Sequence, residues 1–210
     1  MLFRSSAAAR GVVLLPAAGI VDDGMATYLR DRIAGAQAAG AAAVVIKLDT
    51  PGGSLSSTQA IVETIFDARI PVIVWVAPSG GYAASAGTFI TMAANLAVMA
   101  PGTRIGAASP VGGQGEDITG TMGEKVRNDA IAWMTSIAQH RQRPIPWAVS
   151  TVRDASSYSA ADAKAAGAVD GIAATLDDVL ALANGRTVET AAGQVTLEDR
   201  KSTRLNSSHT

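Results

Sequence analysis

Two turns built from small residues carry most of the chemistry this sequence could support. The first lies in "PSGGYAASAGTFI", residues 78–90, directly after the apolar run "PVIVWVA". Ser85 stands there between Ala84 and Ala86. A serine hydroxyl is a poor nucleophile at neutral pH and needs a base and an oxyanion hole. A strand–turn–helix setting would perch Ser85 in the open. It would also put the Ala86 amide at a helix N-terminus, where backbone N–H groups and the helix dipole favour negative charge. Small neighbours, Ala84 and Gly87, would leave clearance for a substrate backbone. The logic is that of a nucleophile elbow, although the Gly-x-Ser-x-Gly pattern is absent, since both flanking residues are Ala. The competing reading is a small residue packed where a helix meets a sheet, and these residues alone leave both open.

The second turn is "DTPGGSL", residues 49–55. It too follows an apolar run and precedes a helical pattern. Gly52 and Gly53 could present backbone N–H groups to an oxyanion. A plain Pro-Gly turn with Ser54 or Ser57 capping the helix explains the same residues. The two turns gain meaning together. In a parallel sheet both fall at the carboxyl ends of strands, where the sites of open α/β folds gather.

The base is harder to read. His140 and His209 are the histidines, and His140 lies late in a helix beside "RQRP", where compensation of the helix C-terminal charge suits it. The lysines are Lys47, Lys125, Lys164 and Lys201. Lys125 sits where a Gly-rich loop becomes a long helix. A lysine acts as general base only where desolvation lowers its pKa from about 10.4 toward about 7–8. Closure of the loop over substrate could do that, but a solvated lysine at a helix start explains the residue equally simply.

The elements that must position these residues alternate along the chain. Strand-like runs occur at "GVVLLPAAG", "AVVIKLD" (43–49), "PVIVWVA" and "LAVMA". Helical spacing appears between them. Met25, Leu29, Ile33 and Ala36 share one face after an Asp22 or Asp23 cap, ended by Gly40. Ile61, Ile65 and Ala68 share another. "AASAGTFITMAAN" reads as helix. Such alternation predicts right-handed crossovers and a largely parallel α/β sheet. "PGTRIGAASPVGGQGEDITGTMGEK" then reads as a long irregular loop, and a loop of that length is commonly functional. A helix is expected over 123–141, followed by short elements and a hairpin in "TVETAAGQVTL".

The bulk properties set limits. The chain has 210 residues, 48% of them hydrophobic, which suits one well-buried domain. It has no cysteine, which excludes disulfides, thiolate catalysis and Cys-ligated zinc. No histidine spacing suits a metal, so neither metal nor cofactor is expected. Aromatics are few and the net charge is −1 with no basic block, so nucleic acid is not expected as a partner. No apolar run reaches the about 18 residues of a membrane span. Residues 1–10 read as a flexible N-terminal segment, 11–197 as the domain, and 198–210 ("EDRKSTRLNSSHT") as a disordered tail, non-native in style.

"IKLDTPGGSL", "PVIVWVAPSGGYAASAGTFI" and "MAPGTRIGAASPV" together resemble the membrane-associated Clp-class serine proteases of the NfeD type. They are more distantly similar to the signal peptide peptidase A family and the Clp protease proteolytic subunit. The resemblance implies a Clp protease/crotonase-like fold of repeated β-β-α units, with a mainly parallel sheet flanked by helices. It implies Ser85 as nucleophile, Lys125 as general base, and the Gly53 and Ala86 amides as oxyanion hole. It further implies hydrophobic peptide substrates, including stomatin-like proteins, and a homodimer or larger homo-oligomer. Membrane association would come through segments absent from this chain, on the extracytoplasmic side of a prokaryotic membrane. A non-catalytic scaffold for a stomatin-like partner and a crotonase-like acyl-coenzyme-A enzyme are the alternatives.

Overall fold

The computed structural model describes residues 11–113 and 115–198. The expectations for residues 1–10 and for the tail from 199 onward, His209 included, fall outside these. The chain opens with β1 (Val12–Ala18), α1 (Asp23–Ala38), β2 (Ala43–Asp49), α2 (Leu55–Phe66) and β3 (Val72–Val76). It continues through β4 (Tyr82–Ala84), α3 (Ala86–Ala93), β5 (Leu96–Met99), β6 (Arg104–Gly106) and α4 (Gly120–His140). The remainder is α5 (Ile145–Arg153), β7 (Ser157–Ser159), α6 (Ala160–Ala165), β8 (Gly171–Ile172), α7 (Leu176–Ala183), β9 (Thr187–Thr190) and β10 (Gly193–Thr196).

The main sheet is parallel throughout, in the order β1-β2-β3-β5-β8. Every residue of β3 is buried, as a strand covered on both faces requires. One face turns Val44, Ile46, Leu48, Val74 and Val76 toward α1, α2 and α3. Each such aliphatic side chain contributes roughly 1.5–3 kcal/mol on full burial. The other face packs Val45, Ile73 and Trp75 against Val179 and Ala183 of α7 and Val188 of β9. Asp22 caps α1 by accepting the Met25 N–H at 2.8 Å, and Ser54 caps α2 through the Ser57 N–H at 3.1 Å. β9 and β10 form the expected hairpin.

A second, small sheet crosses the carboxyl ends of the first. β4 pairs in parallel with β6, and β6 antiparallel with β7. Two chain segments therefore differ from their sequence reading. Ala83 and Ala84, expected to start a helix, lie instead in β4, which pairs with β6 and is tied to Thr50 by the Thr50 N–H to Tyr82 O (2.8 Å) and Ala84 N–H to Thr50 O (3.1 Å) bonds. The Gly-rich stretch contains β6, and α4 begins at Gly120, three residues early. The runs β3-β4-α3 and β5-β6-α4 are β-β-α units. In the earlier repeats, isolated bridges Val21↔Gly53 and Thr50↔Ala83 stand where the second strand would be.

Candidate active site

Ser85 occupies the junction between β4 and α3 with φ 51° and ψ −115°, a backbone conformation that costs a non-glycine residue roughly 1–3 kcal/mol. Its surroundings impose it. The Ser85 N–H donates to Gly106 O at 2.9 Å, and Ser85 O accepts the Thr88 N–H at 2.9 Å. The buried Thr88 hydroxyl lies 3.0 Å from Ala83 O and 2.9 Å from Gly106 O, and it accepts the Gly106 N–H at 3.1 Å. The turn is thus held by β4 and β6 together. Ala86 is the first helical residue of α3, so its N–H has no intrahelical acceptor.

The Gly-Gly turn closes in from the other side. The Val21 N–H donates to Gly52 O (2.9 Å) and the Ser54 N–H to Val21 O (2.8 Å). Gly53 lies between these bonds, so its own N–H points away from Val21. A side chain at either glycine would force its neighbours to shift. A Cβ on Gly52 would lie 2.6 Å from the Ser85 Cβ, and one on Gly53 would lie 2.1 Å from Val21 O.

Above both turns is a cleft of about 520 Å³. Gly53, Ser85, Ala86 and Lys125 all line it, so the four residues picked from sequence share one cavity. Its remaining walls are mainly apolar, with Leu55, Phe89, Val111, Ile118, Val126 and Trp133. Phe89 and Trp133 stack with ring centroids 4.5 Å apart. Asp129, one helical turn beyond Lys125, is the acidic residue among the lining. Lys125 itself lies on the second turn of α4, inside the helix rather than at the loop junction expected.

Two further expectations need correction. Gly87 gives no clearance to a substrate. It is buried, and a Cβ there would meet Thr50 Cγ2 at 2.6 Å and Ala83 Cβ at 3.2 Å, so its smallness lets α3 pack onto β2 and β4. His140 ends α4, where its surroundings work against the positive charge expected of it. Its ring packs on Phe66 with centroids 4.5 Å apart, and burial, reinforced by Arg141 and opposed by Glu189, lowers its pKa below the ordinary value. Sequence reasoning also missed Arg143. It is buried and donates to the Met92, Ala94 and Ala168 carbonyls and to Asp170, anchoring the far end of the helix that Ser85 begins. Among the described residues no cluster of His, Asp or Glu could hold a metal ion, and no helix is long and apolar enough to cross a membrane.

The mainly parallel sheet and the helices that flank it are those of the Clp-class serine proteases of the NfeD type. A lysine-to-alanine variant of the 1510-N membrane-bound stomatin-specific protease, solved with a substrate peptide, superposes with a TM-score of 0.84 at 31% identity, covering 90% of this chain and 88% of that one. A serine-to-alanine variant of the same protease gives 0.86 at 30% identity, covering 93% and 96%. The family model for the N-terminal domain of NfeD1b matches residues 11–197, and the chain belongs to that family. Membrane-bound protease PH1510 of Pyrococcus horikoshii is 37% identical over 148 residues, which are 69% of this chain. The match spans 33% of that relative's length.

Proposed function

We propose that the chain, with residues 11–197 as its catalytic unit, is a serine endopeptidase that cuts apolar peptide segments through a Ser85/Lys125 dyad. The observation that carries this reading is the strained Ser85 at the start of α3, facing the Gly-Gly turn in a cleft that Lys125 also lines. The free amine of Lys125 takes the Ser85 proton as Oγ attacks the peptide carbonyl. The N–H groups of Gly53 and Ala86 hold the tetrahedral oxyanion. The lysine ammonium then passes its proton to the leaving amine as the C–N bond breaks. The same lysine takes a proton from water as that water attacks the acyl-enzyme, and it passes the proton to Ser85 Oγ as the ester C–O bond breaks and the acid product leaves.

The apolar lining supports apolar substrates, and the stomatin-specific relatives point to membrane-associated, stomatin-like proteins among them. A homo-oligomer at the extracytoplasmic side of a prokaryotic membrane completes the reading. The test compares wild type, Ser85→Ala and Lys125→Ala on apolar peptides across a pH series, with a phosphonate probe for Ser85. Cleavage and labelling by wild type alone are expected. Peptide binding without turnover would favour a scaffold, and turnover by Ser85→Ala would overturn the nucleophile assignment.

A further inference from the structure

Thr50 is fully buried, and its hydroxyl is spent on a single neighbour, Gly52. Thr50 Oγ1 lies 3.1 Å from Gly52 N, whose N–H it accepts, and 3.3 Å from Gly52 O, to which it donates. Gly52 O also receives the Val21 N–H at 2.9 Å. Two donors therefore hold the carbonyl end of the Gly52–Gly53 peptide. A trans peptide is planar, with its N–H directed opposite its C=O. Pulling the carbonyl back toward Thr50 and Val21 aims the Gly53 N–H the other way, on the side where Gly53 lines the cleft.

We propose that Thr50 is a positioning residue whose hydroxyl latches the Gly52–Gly53 peptide with its N–H turned into the cleft. The catalytic meaning of the latch rests on the peptidase reading above. Gly52 makes a latch necessary. Its φ of 118° is open to glycine alone, and glycine crosses readily between backbone wells, so this peptide can turn over where its neighbours cannot. A flipped peptide would present a carbonyl oxygen to a developing oxyanion. The backbone of Thr50 adds a second constraint. Through Tyr82 O and the Ala84 N–H it is stitched to β4, the strand that ends at Ser85. One residue thus sets the register of the donor turn against the nucleophile.

Thr50→Val keeps the shape and removes the hydroxyl, while Thr50→Ser keeps the oxygen. Thr50→Val is expected to lower kcat about 10–100-fold with little change in KM, somewhat less than the loss of an oxyanion donor outright. Affinity for a peptide boronate should fall by a similar factor, while an uncleaved peptide should bind Ser85→Ala and Ser85→Ala/Thr50→Val alike. Thr50→Ser should retain kcat within about threefold, since its hydroxyl can make the same bonds. Crystal structures of both variants read the peptide plane directly and do not depend on turnover. A flipped or disordered Gly52–Gly53 peptide in Thr50→Val, restored in Thr50→Ser, is the expected result. An unflipped peptide with wild-type kcat in Thr50→Val overturns the latch, as does an equal loss in Thr50→Ser. A wild-type chain that never acylates at Ser85 would instead sink the peptidase reading, while the peptide plane would still report on the latch.

Discussion

Gly52 and Ser85 meet so closely that a Cβ added to Gly52 would lie 2.6 Å from the Ser85 Cβ and 3.1 Å from its Oγ. The two residues belong to different turns, one after β2 and the other after β4, and this contact is where the turns touch. Gly52→Ala must push Ser85 away while also placing an alanine at φ 118°. The strained conformation alone costs roughly 1–3 kcal/mol. The expected outcome is a lowered melting temperature, together with a loss of phosphonate labelling at Ser85 larger than the stability loss accounts for. Wild-type labelling in a folded Gly52→Ala would show that the two turns are free to move apart.

Arg143 tests a different link, between the far end of α3 and the rest of the fold. Its guanidinium satisfies three backbone carbonyls and pairs with Asp170 at 3.1 Å, with the arginine side chain only 5% exposed. Replacement by Leu takes the guanidinium donors from the three carbonyls, while Asp170 keeps the Ala97 N–H and the Arg186 cation. Breaking such a buried pair costs about 3–5 kcal/mol. Arg143→Leu is expected to show that loss in urea unfolding. Arg143→Lys should recover only part of it, because an ammonium cannot reach the same acceptors with fork geometry. A loss under about 1 kcal/mol for Arg143→Leu would mean that the surface salt-bridge range applies instead.

His140 offers a pH-dependent readout remote from the cleft. Burial, then the nearby Arg141 cation, hold its folded pKa below the ordinary 6.5, against the opposing pull of Glu189. The unfolded chain therefore takes up the proton at a higher pH than the folded chain. This contribution to stability is whole above the unfolded value and is lost as pH falls through 6.5 toward the folded value. Urea midpoints at about pH 5 and about pH 7.5 should differ less in His140→Gln than in wild type. The pH profile of peptide cleavage should be the same in both. An unchanged midpoint difference would assign the slope to other groups.

How much of this was legible in the sequence follows from where each interaction partner lies along the chain. β2 and β3 show as apolar runs because a parallel strand buried on both faces needs little else, and β1, at the sheet edge, shows by its Val-Val-Leu-Leu run although Pro16 and Ala18 are exposed. Asp22 and Ser54 show as caps because each bonds an N–H three residues on. Ser85, Gly53, Ala86 and Lys125 were picked from three separated motifs, and they line one cleft. Strand β4 is hidden, because a run of Tyr and Ala pairs as a strand only once β6 and Thr50 are beside it. Arg143 was hidden for the same reason, since its carbonyl partners lie 25 to 51 residues away. Gly87 was visible but misread, because clearance for a substrate and clearance for Thr50 call for the same small residue.

Trp133 separates substrate recognition from chemistry. It stacks on Phe89 with an 18° interplanar angle, and both rings form cleft wall beside apolar residues of α2 and α4. The stack is worth about 0.5–1.5 kcal/mol beyond its burial, and its flat face offers area to an apolar side chain. Trp133→Ala removes wall without touching Ser85, Lys125 or either glycine turn. Binding lost equally from ground and transition states raises KM and leaves kcat in place. The expected result is a KM increase of about tenfold for peptides with apolar residues at the scission site, with kcat within about threefold. Short polar peptides should lose little. A fall in kcat with KM unchanged would instead make Trp133 part of the scaffold that holds α4, and with it Lys125, over the serine.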